Sequence, residues 1–338
     1  MGQGNNITID RIMPGETGAF EQWYSLLTEI FTDPADLEPK EDLLERLNQT
    51  NKNIFFIFRD EKGKPIGMEL LQRDPAMPDA PVAYVPWAGM IPEHRNHGEY
   101  PQIAKQIMNA AKGLGVALLI HEVEDPKRIH VAYGEPADGS GENCKNAGRR
   151  THLWRRPPLN TLLVNDGTFG DPKSKTAYVR PASDDDQNIQ AYDIMALREL
   201  DPLHPMFGVA KSDDPMDGIY NEDKTAISFA AYKRIYLQMT QIQYEADMPE
   251  GLNAKDYYTL LEQKLRADYP AVEDFCSRVD EAMKTSPWMK LDTSAIVPRS
   301  GPTPVHNVQL GKNLANDNVA DAPTARVPNT GKHNDLKM

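Results

Sequence analysis

The stretch that decides the fold is Met90-Ile91-Pro92-Glu93-His94-Arg95-Asn96-His97-Gly98-Glu99-Tyr100, which joins an apolar run to a segment with helical spacing. A turn that enters a helix directs unpaired N–H groups and the positive end of the helix dipole outward, which suits a phosphate. Gly98 lets the backbone approach such a ligand closely, and Arg95 adds positive charge. The stretch therefore predicts an anion site, with an ordinary helix cap as the alternative.

A strand, a helix and a second strand are predicted around this stretch. Residues 82–91 supply the first strand and residues 116–120 an apolar second strand. Helical spacing between them is shown by Ile103, Ile107, Ala110, Ala111 and Leu114. A right-handed crossover of this kind leaves the two strands parallel or splayed.

The residues before this unit predict two helices and three more strands. A short strand falls at residues 7–12, an amphipathic helix at 20–31 and a second helix at 43–47. The β-branched and aromatic run at 54–58 and the apolar run at 66–71 flank a glycine turn, so they predict an antiparallel hairpin.

Beyond the second strand of the unit, the pattern is more broken. Residues 135–148 are rich in Gly, Asp, Asn and Pro and predict a surface loop. Residues 159–165 and 176–179 predict closing antiparallel strands. Helical spacing then returns at three places, residues 227–235, 257–265 and 272–279.

The central stretch resembles a signature of the GNAT superfamily of N-acyltransferases, an apolar residue followed by x-Pro-Glu-Tyr-Arg-x-x-Gly-x-Gly/Ala. Pro92, Glu93, Arg95 and Gly98 fall in register with it, and the order of elements over residues 7–180 is also similar to that superfamily. The resemblance implies an α/β fold of the α+β type. Its central sheet would be mixed and mostly antiparallel, with a parallel splayed pair and flanking helices, as in the acyl-CoA N-acyltransferase fold, and C-terminal helices would follow.

The resemblance also implies how the chain is divided. Residues 1–182 would form the GNAT-like acyltransferase domain, and residues 183–292 a C-terminal helical extension packed on it. Residues 293–338 have few large apolar groups, so we predict a disordered tail. The extension would serve as a lid over the acceptor cleft or as the interface of a homodimer, and the sequence leaves both roles open.

The activity that the resemblance implies is transfer of an acetyl group from acetyl-CoA to a primary amine, by direct attack in a ternary complex. Acyl-CoA would be the co-substrate, and no metal would be needed. A backbone N–H near Met90 or Ile91 would hold the oxyanion, because a splayed strand leaves amides unpaired. The implied cofactor-binding residues are Met90, Ile91, Arg95, Asn96, His97, Gly98, Glu99 and Tyr100.

Two acidic residues are candidates for the general base. Glu122 is the first, at the end of the apolar second strand, and Glu69 on the neighbouring strand is the next. The alternative reading of Glu122 with Glu124 and Asp125 is a solvated strand end.

The sequence departs from the superfamily pattern at two positions. Tyr100 stands where Gly or Ala is usual, and Trp154 lies in the stretch where many members have a Tyr that protonates the departing thiolate. An indole cannot donate that proton in the same way. Tyr133, Tyr178 or solvent would take over the role. The alternative is a catalytically inactive GNAT-fold protein that binds acyl-CoA or a partner.

Three charged groups have competing interpretations. The pair His94 and His97 has a spacing that could hold a metal, but no third ligand is spaced to join it. The acidic run 183–186 is either a solvated loop or a collector of a polyamine or other aminated substrate. A basic cluster would grip the adenosine 3′-phosphate or pair with acidic neighbours, and consists of Arg149, Arg150, Arg155 and Arg156.

The composition limits the partners. The formal net charge of -13 disfavours nucleic acid and attracts a cationic acceptor. Cys144 and Cys276 are too few for a disulfide framework, although one bridge between them stays open. The sequence has neither a secretory signal nor a membrane-spanning run, so we predict a cytoplasmic protein of bacterial type.

Overall fold

The first half of the chain forms the elements that its apolar pattern predicts. The computed structural model describes residues 7–32, 37–50, 52–74, 81–95, 99–125, 129–155, 162–164, 193–210, 218–249 and 251–292. The elements of this half are β1 (Thr8–Ile12), α1 (Thr17–Ile30), α2 (Lys40–Leu47), β2 (Asn53–Arg59), β3 (Pro65–Arg73), β4 (Val82–Met90), α3 (Tyr100–Gly113) and β5 (Leu118–Glu124). β5 runs on to Glu124 instead of ending with its apolar residues.

The second half adds four short strands and five helices in the described residues. They are α4 (Ile129–Tyr133), α5 (Glu142–Arg155), β6 (Leu162–Val164), β7 (Asp193–Glu199), β8 (Ala226–Ser228), α6 (Phe229–Tyr244), α7 (Ala254–Asp268), α8 (Pro270–Met283) and β9 (Trp288–Asp292). The three predicted C-terminal helices are confirmed as α6, α7 and α8.

The described strands form one sheet in the order β1-β2-β3-β4-β5-β7-β6-β9-β8. β4 and β5 run parallel for three residue pairs, from Val82 opposite Leu118 to Tyr84 opposite Ile120. The other seven pairings are antiparallel. The predicted mixed, mostly antiparallel sheet with one parallel splayed pair is therefore confirmed.

A bulge in β4 lies where the two parallel strands separate. Trp87 stands opposite Leu70 and Tyr84 opposite Gln72, so β4 has one residue more than β3 over this stretch. Pro86 falls in the bulge, where its missing N–H costs no ladder hydrogen bond. We call the space between residues 85–90 of β4 and residues 121–124 of β5 the β4–β5 gap.

Helices cover both faces of the sheet. On the first face, here the α3 face, Ile103, Ile107 and Ala111 of α3 pack with Ala83 and Leu119. The opposite face, here the α6 face, is covered by α1 over β3 and β4 and by α6 beside it. The β4–β5 gap is therefore enclosed by helices on both sides.

The helix α6 is the centre of the C-terminal half. Twelve of its 16 residues are buried, so it is enclosed on nearly all sides. The Ser228 hydroxyl caps its first turn and accepts the Ala231 N–H at 3.0 Å. Lys233 bonds Glu262 of α7 at 2.9 Å and Asp280 of α8 at 2.8 Å. These contacts join the three helices into one packed unit.

The predicted surface loop at residues 135–148 is wrong for its second part, because α5 begins at Glu142. The Glu135 carboxylate accepts the backbone N–H of Asn143 at 2.8 Å and of Cys144 at 3.1 Å, so it caps the first turn. Cys144 and Ala147 are buried on the inner side of the helix. The Gly and Asn residues of this segment favoured a loop prediction, whereas the cap and the packing stabilise a helix.

The strands after α5 were predicted only in part. β6 lies within the predicted strand at 159–165, whereas β7, β8 and β9 were not predicted. The predicted strand at 176–179, Tyr178, the acidic run 183–186 and the tail lie outside the described residues. The boundary at residue 182 remains a prediction, although β7 follows it and lies between β5 and β6 in the sheet.

Two further observations concern membrane-spanning helices and the cysteines. None of the helices in the described ranges is long and apolar enough to cross a membrane. Cys144 and Cys276 are both buried free thiols, so the bridge between them that the sequence left open is absent.

Candidate active site

The backbone of β4 directs N–H groups into the β4–β5 gap. The Ile91 N–H donates to the Ile66 carbonyl of β3 at 3.0 Å. Hydrogen-bonded and non-hydrogen-bonded positions alternate along an antiparallel ladder, so the N–H groups of Ala88 and Met90 point away from β3 and toward the gap. Of the two amides predicted for the oxyanion, Met90 has the direction that this role needs, and Ile91 is used by the sheet.

The turn after β4 folds back onto the strand end. A 3-10 turn spans Pro92–His94, and the Arg95 side chain donates from Nε to the Met90 carbonyl at 2.8 Å. Arg95 therefore fixes the turn at the end of the gap, in addition to placing positive charge there.

The rest of the predicted phosphate stretch is described in part. His94 Nδ1 lies 3.0 Å from an oxygen of the buried Glu99, so this histidine has a carboxylate partner on the neighbouring turn. No group of three or more metal-ligating side chains occurs among the residues that the structure describes. The predicted cofactor residues outside the described ranges are Asn96, His97 and Gly98.

Glu122 is a buried carboxylate on the α6 face, beside the gap. It lies within β5 and is only 7% exposed. The Tyr84 hydroxyl donates to Glu122 Oε2 at 2.5 Å, and the Gln243 amide of α6 donates to the same oxygen at 3.3 Å. The predicted base is thus held by one residue of β4 and one of the C-terminal helices.

The reading of residues 122–125 as a solvated strand end is wrong. Glu122 pairs with Met195 of β7 in the sheet, and Asp125 is completely buried. Glu124 forms an ion pair with Arg150 of α5. The strand end is enclosed because β7 and α6, neither of which is local in sequence, lie against it.

A second buried polar group lies on the α3 face. Burial raises the pKa of the Glu69 carboxyl to about 8, and the nearby Arg198 charge limits the rise. Glu69 Oε1 has no hydrogen-bond partner among the described residues. Burial, together with the Glu69 charge, raises the pKa of the Tyr100 hydroxyl to about 12, although a hydrogen bond with Arg198 lowers it. Glu69, Tyr100 and Arg198 form what we call the α3-face cluster.

Arg198 is a site residue that the sequence reasoning missed. It is 2% exposed, and its guanidinium carbon lies 5.1 Å from the centre of the Trp154 ring. The His121 ring meets the same indole edge-on, with ring centres 4.4 Å apart. An arginine inside the run Ile194-Met195-Ala196-Leu197-Arg198 was the available signal, but the run was not recognised as a strand.

The two candidate bases are therefore on opposite faces of the sheet. Glu122 follows Leu118 and Ile120 at alternate positions and shares their α6 face. Glu69 lies two residues before Leu71 in β3, so both side chains are on the α3 face. The structure does not bring the two carboxylates into one site.

The remaining predicted residues lie around α5. Tyr133 ends α4 and packs against Ile129, Cys144 and Ala147. Within the basic cluster, Arg149 lies 3.6 Å from Glu142 and Arg150 pairs with Glu124, while Arg156 lies outside the described residues. Arg149 also donates to Asn146 Oδ1 at 3.1 Å, so the described contacts of this cluster include both acidic and neutral neighbours.

Another buried carboxylate, Glu38, was also missed by the sequence reasoning. Glu38 is 6% exposed and forms an ion pair with Arg46 at 2.9 Å. Burial raises the pKa of its carboxyl, and the Arg46 charge opposes the rise. The Trp87 indole lies 3.5 Å from Glu38 Oε1 and meets Phe31 edge-on at 4.9 Å between ring centres. Aromatic and acidic side chains thus surround this part of β4.

No protein-family model and no curated protein sequence matches the chain. Solved structures similar to it include the spermidine N-acetyltransferase of Vibrio cholerae in complex with CoA and spermine, with 13% identity, a TM-score of 0.35 and coverage of 56% of this chain and 92% of that chain. The PaiA N-acetyltransferase of Thermoplasma acidophilum in complex with coenzyme A has 12% identity and a TM-score of 0.34, over 57% of this chain and 99% of that chain.

A third similar structure is an aminoglycoside acetyltransferase from an uncultured soil metagenomic sample, in complex with sisomicin. It has 16% identity and a TM-score of 0.31, over 40% of this chain and 90% of that chain.

The chain has the acyl-CoA N-acyltransferase fold. Strand order and direction assign it, since β1 to β4 are antiparallel neighbours and β5 joins β4 in parallel after α3. The bulge and the gap in this parallel pair complete the expected arrangement.

Proposed function

We propose that the chain is an acyl-CoA-dependent N-acyltransferase that transfers an acetyl group from acetyl-CoA to a primary amine in a ternary complex. The observation that carries the proposal is the β4–β5 gap, which Ala88 and Met90 face with their N–H groups, with the Glu122 carboxylate beside it on the α6 face. A pantetheine arm in the gap would meet those amides as a neighbouring strand does. The residues present therefore fit acyl-CoA as co-substrate.

In the proposed reaction, Glu122 is the general base and Met90 the oxyanion donor. The amine reacts in its neutral form, after releasing one proton to water, and Glu122 takes a further proton from the nitrogen as its lone pair forms a bond to the thioester carbon. The Met90 N–H stabilises the negative oxygen that results. When the carbonyl re-forms, the carbon–sulfur bond breaks, and the departing thiolate takes a proton from Tyr133 or solvent. Glu122 then releases its proton to water, and water reprotonates Tyr133 where Tyr133 was the donor, so the products are an amide and free CoA.

The acceptor is proposed to be a cationic amine. The formal charge of -13 attracts such a molecule to the protein. On the α6 face, Glu38 and Glu122 are two buried carboxylates that a cationic amine would meet. The cytoplasmic location, the bacterial setting and a homodimer remain predictions.

The test is release of free thiol from acetyl-CoA in the presence of a panel of mono- and polyamines. Glu122→Gln should lower kcat by about 100- to 1000-fold, the usual contribution of a general base. The control is Glu21→Gln on α1, which removes an exposed carboxylate paired with Lys40 and should keep the wild-type kcat. Equal rates for all three proteins would contradict the assignment of Glu122.

A second candidate function is a catalytically inactive GNAT-fold protein that binds acyl-CoA or a partner. It is favoured by Trp154, which packs against His121 and Arg198 and has no hydroxyl to offer a thiolate. Binding of CoA without thiol release across the whole amine panel would support this candidate over the enzyme.

A further inference from the structure

The C-terminal helices reach the proposed active site through one side chain. Gln243 lies in the last turn of α6, and its amide Nε2 donates to Glu122 Oε2 at 3.3 Å. The two residues are 121 positions apart in the chain. A role for the helices is therefore visible in the structure, whereas the sequence left a lid or an interface open.

Several contacts fix the end of α6 where Gln243 is placed. Lys52, the residue before β2, forms an ion pair with Glu245, the residue that caps α6. The Gln241 amide donates to the Ala246 carbonyl at 2.8 Å and closes the helix end. These contacts tie the C-terminal end of α6 to the first half of the chain.

The neighbouring helix α7 adds a second tie. The Tyr257 hydroxyl donates to the buried Asp74, which directly follows β3. α7 is in turn joined to α6 by the ion pair between Lys233 and Glu262. The position of Gln243 beside β5 is therefore fixed by contacts that both α6 and α7 make with the first half of the chain.

We propose that Gln243 is a positioning residue for Glu122, so that the C-terminal helices complete the catalytic site. The inference rests on the proposed function. Gln243 and Tyr84 hold the same carboxylate oxygen from α6 and from β4, which restricts the rotation of the Glu122 side chain. A neutral amide donor stabilises the ionised carboxylate and does not itself titrate. Gln243 thus keeps Glu122 ready to accept the amine proton.

The test compares Gln243→Met with Gln238→Met in the full-length protein. Gln238 lies on the same helix, is 1% exposed and accepts a hydrogen bond from the Tyr258 hydroxyl at 3.1 Å, away from Glu122. Both substitutions replace one glutamine of α6 with an unbranched apolar side chain of similar length. Gln238 is the more deeply buried of the two, so Gln238→Met is at least as demanding for packing as Gln243→Met. Gln243→Met should lower kcat about tenfold with little change in KM, the loss expected for one hydrogen bond to a charged group.

The pH profile separates positioning from a purely structural role. Without the Gln243 donor, the acid limb of kcat/KM should move upward by about half to one pH unit, because the ionised carboxylate has lost a hydrogen bond. Gln238→Met should leave that limb at its wild-type position. The proposal would be overturned if the acid limb of kcat/KM lay at the same pH in Gln243→Met, in Gln238→Met and in the wild type.

A measurement without turnover keeps this proposal distinct from the proposed function. With ¹³C-labelled glutamate carboxyl groups, the Glu122 resonance is the one missing in Glu122→Gln. Its titration midpoint should rise in Gln243→Met and stay in place in Gln238→Met. If the midpoint rises in Gln243→Met while the wild type acetylates no amine, the hydrogen bond to Glu122 is supported and the proposed enzymatic function is contradicted. An unmoved midpoint overturns the role of Gln243, whatever the activity.

Discussion

The α3 face and the α6 face each bury a carboxylate beside the β4–β5 gap, but they surround it differently. On the α6 face, Glu122 accepts hydrogen bonds from the neutral donors Tyr84 and Gln243. On the α3 face, Glu69 has the Arg198 charge nearby and an oxygen with no partner among the described residues. Donors stabilise an ionised carboxylate, whereas burial favours the neutral acid. Burial therefore favours Glu69 as a neutral acid near pH 7, and Glu122, which has two hydrogen-bond donors, is the proton acceptor that we propose.

The largest effect is expected from Glu69→Gln, through the pH dependence of stability. Burial raises the pKa of Glu69 from its ordinary 4.5 to about 8 in the folded protein. Below pH 4.5 the Glu69 carboxyl is protonated in both the folded and the unfolded protein. Between pH 4.5 and 8 it loses its proton only in the unfolded protein. Glu69 should therefore reduce the free energy of unfolding of the wild type over this range by on the order of 5 kcal/mol. Glu69→Gln should remove this decline.

Urea unfolding at a series of pH values between 4 and 9 measures this difference. The control is Glu21→Gln, which removes an exposed carboxylate paired with Lys40 and should follow the wild-type curve. If the free energy of unfolding varied with pH in the same way for the wild type and Glu69→Gln, the pKa of Glu69 would not be raised in the folded protein. The proposed difference between the two faces would then be wrong.

A smaller effect is expected from Tyr84→Phe on the α6 face. This change removes the shorter of the two described hydrogen bonds to Glu122 and keeps the ring. The kcat should fall about tenfold, as expected for one hydrogen bond to a charged group. Steady-state kinetics would measure it beside Tyr258→Phe, which removes a buried hydroxyl bonded to Gln238 instead. Equal losses in both variants would point to general destabilisation instead of a role at Glu122.

Local patterns predicted the first half of the fold because the physics there is local. The run at Ile54–Phe58, the glycine turn and the apolar run at 66–71 define a hairpin without distant contacts. The crossover from β4 through α3 to β5 follows from its periodicity in the same way. These elements are also the ones that place the β4–β5 gap.

The rest of the site depends on contacts that are distant in sequence. Glu122 was identified as a candidate, but its burial depends on β7 and α6. Arg198 lies in a strand that follows an acidic run, and the strand itself was not predicted. Gln243 has the ordinary polar spacing of a helix residue, and only the packing of α6 on the sheet reveals its partner. Nothing local marks Gln243 as part of a site, and the signal at Arg198 is readable only once its run is recognised as a strand.

The most direct test of the central claim, that acyl-CoA binds in the β4–β5 gap, is calorimetric titration of acetyl-CoA into Ala88→Pro. Ala88→Pro removes an N–H that faces the gap and that β3 does not use, while Ala88→Gly keeps this N–H as a control. The wild type and Ala88→Gly should bind acetyl-CoA, and Ala88→Pro should bind about tenfold more weakly, as expected for one lost hydrogen bond. Absence of binding in the wild type, or equal affinity in a folded Ala88→Pro protein, would contradict the claim.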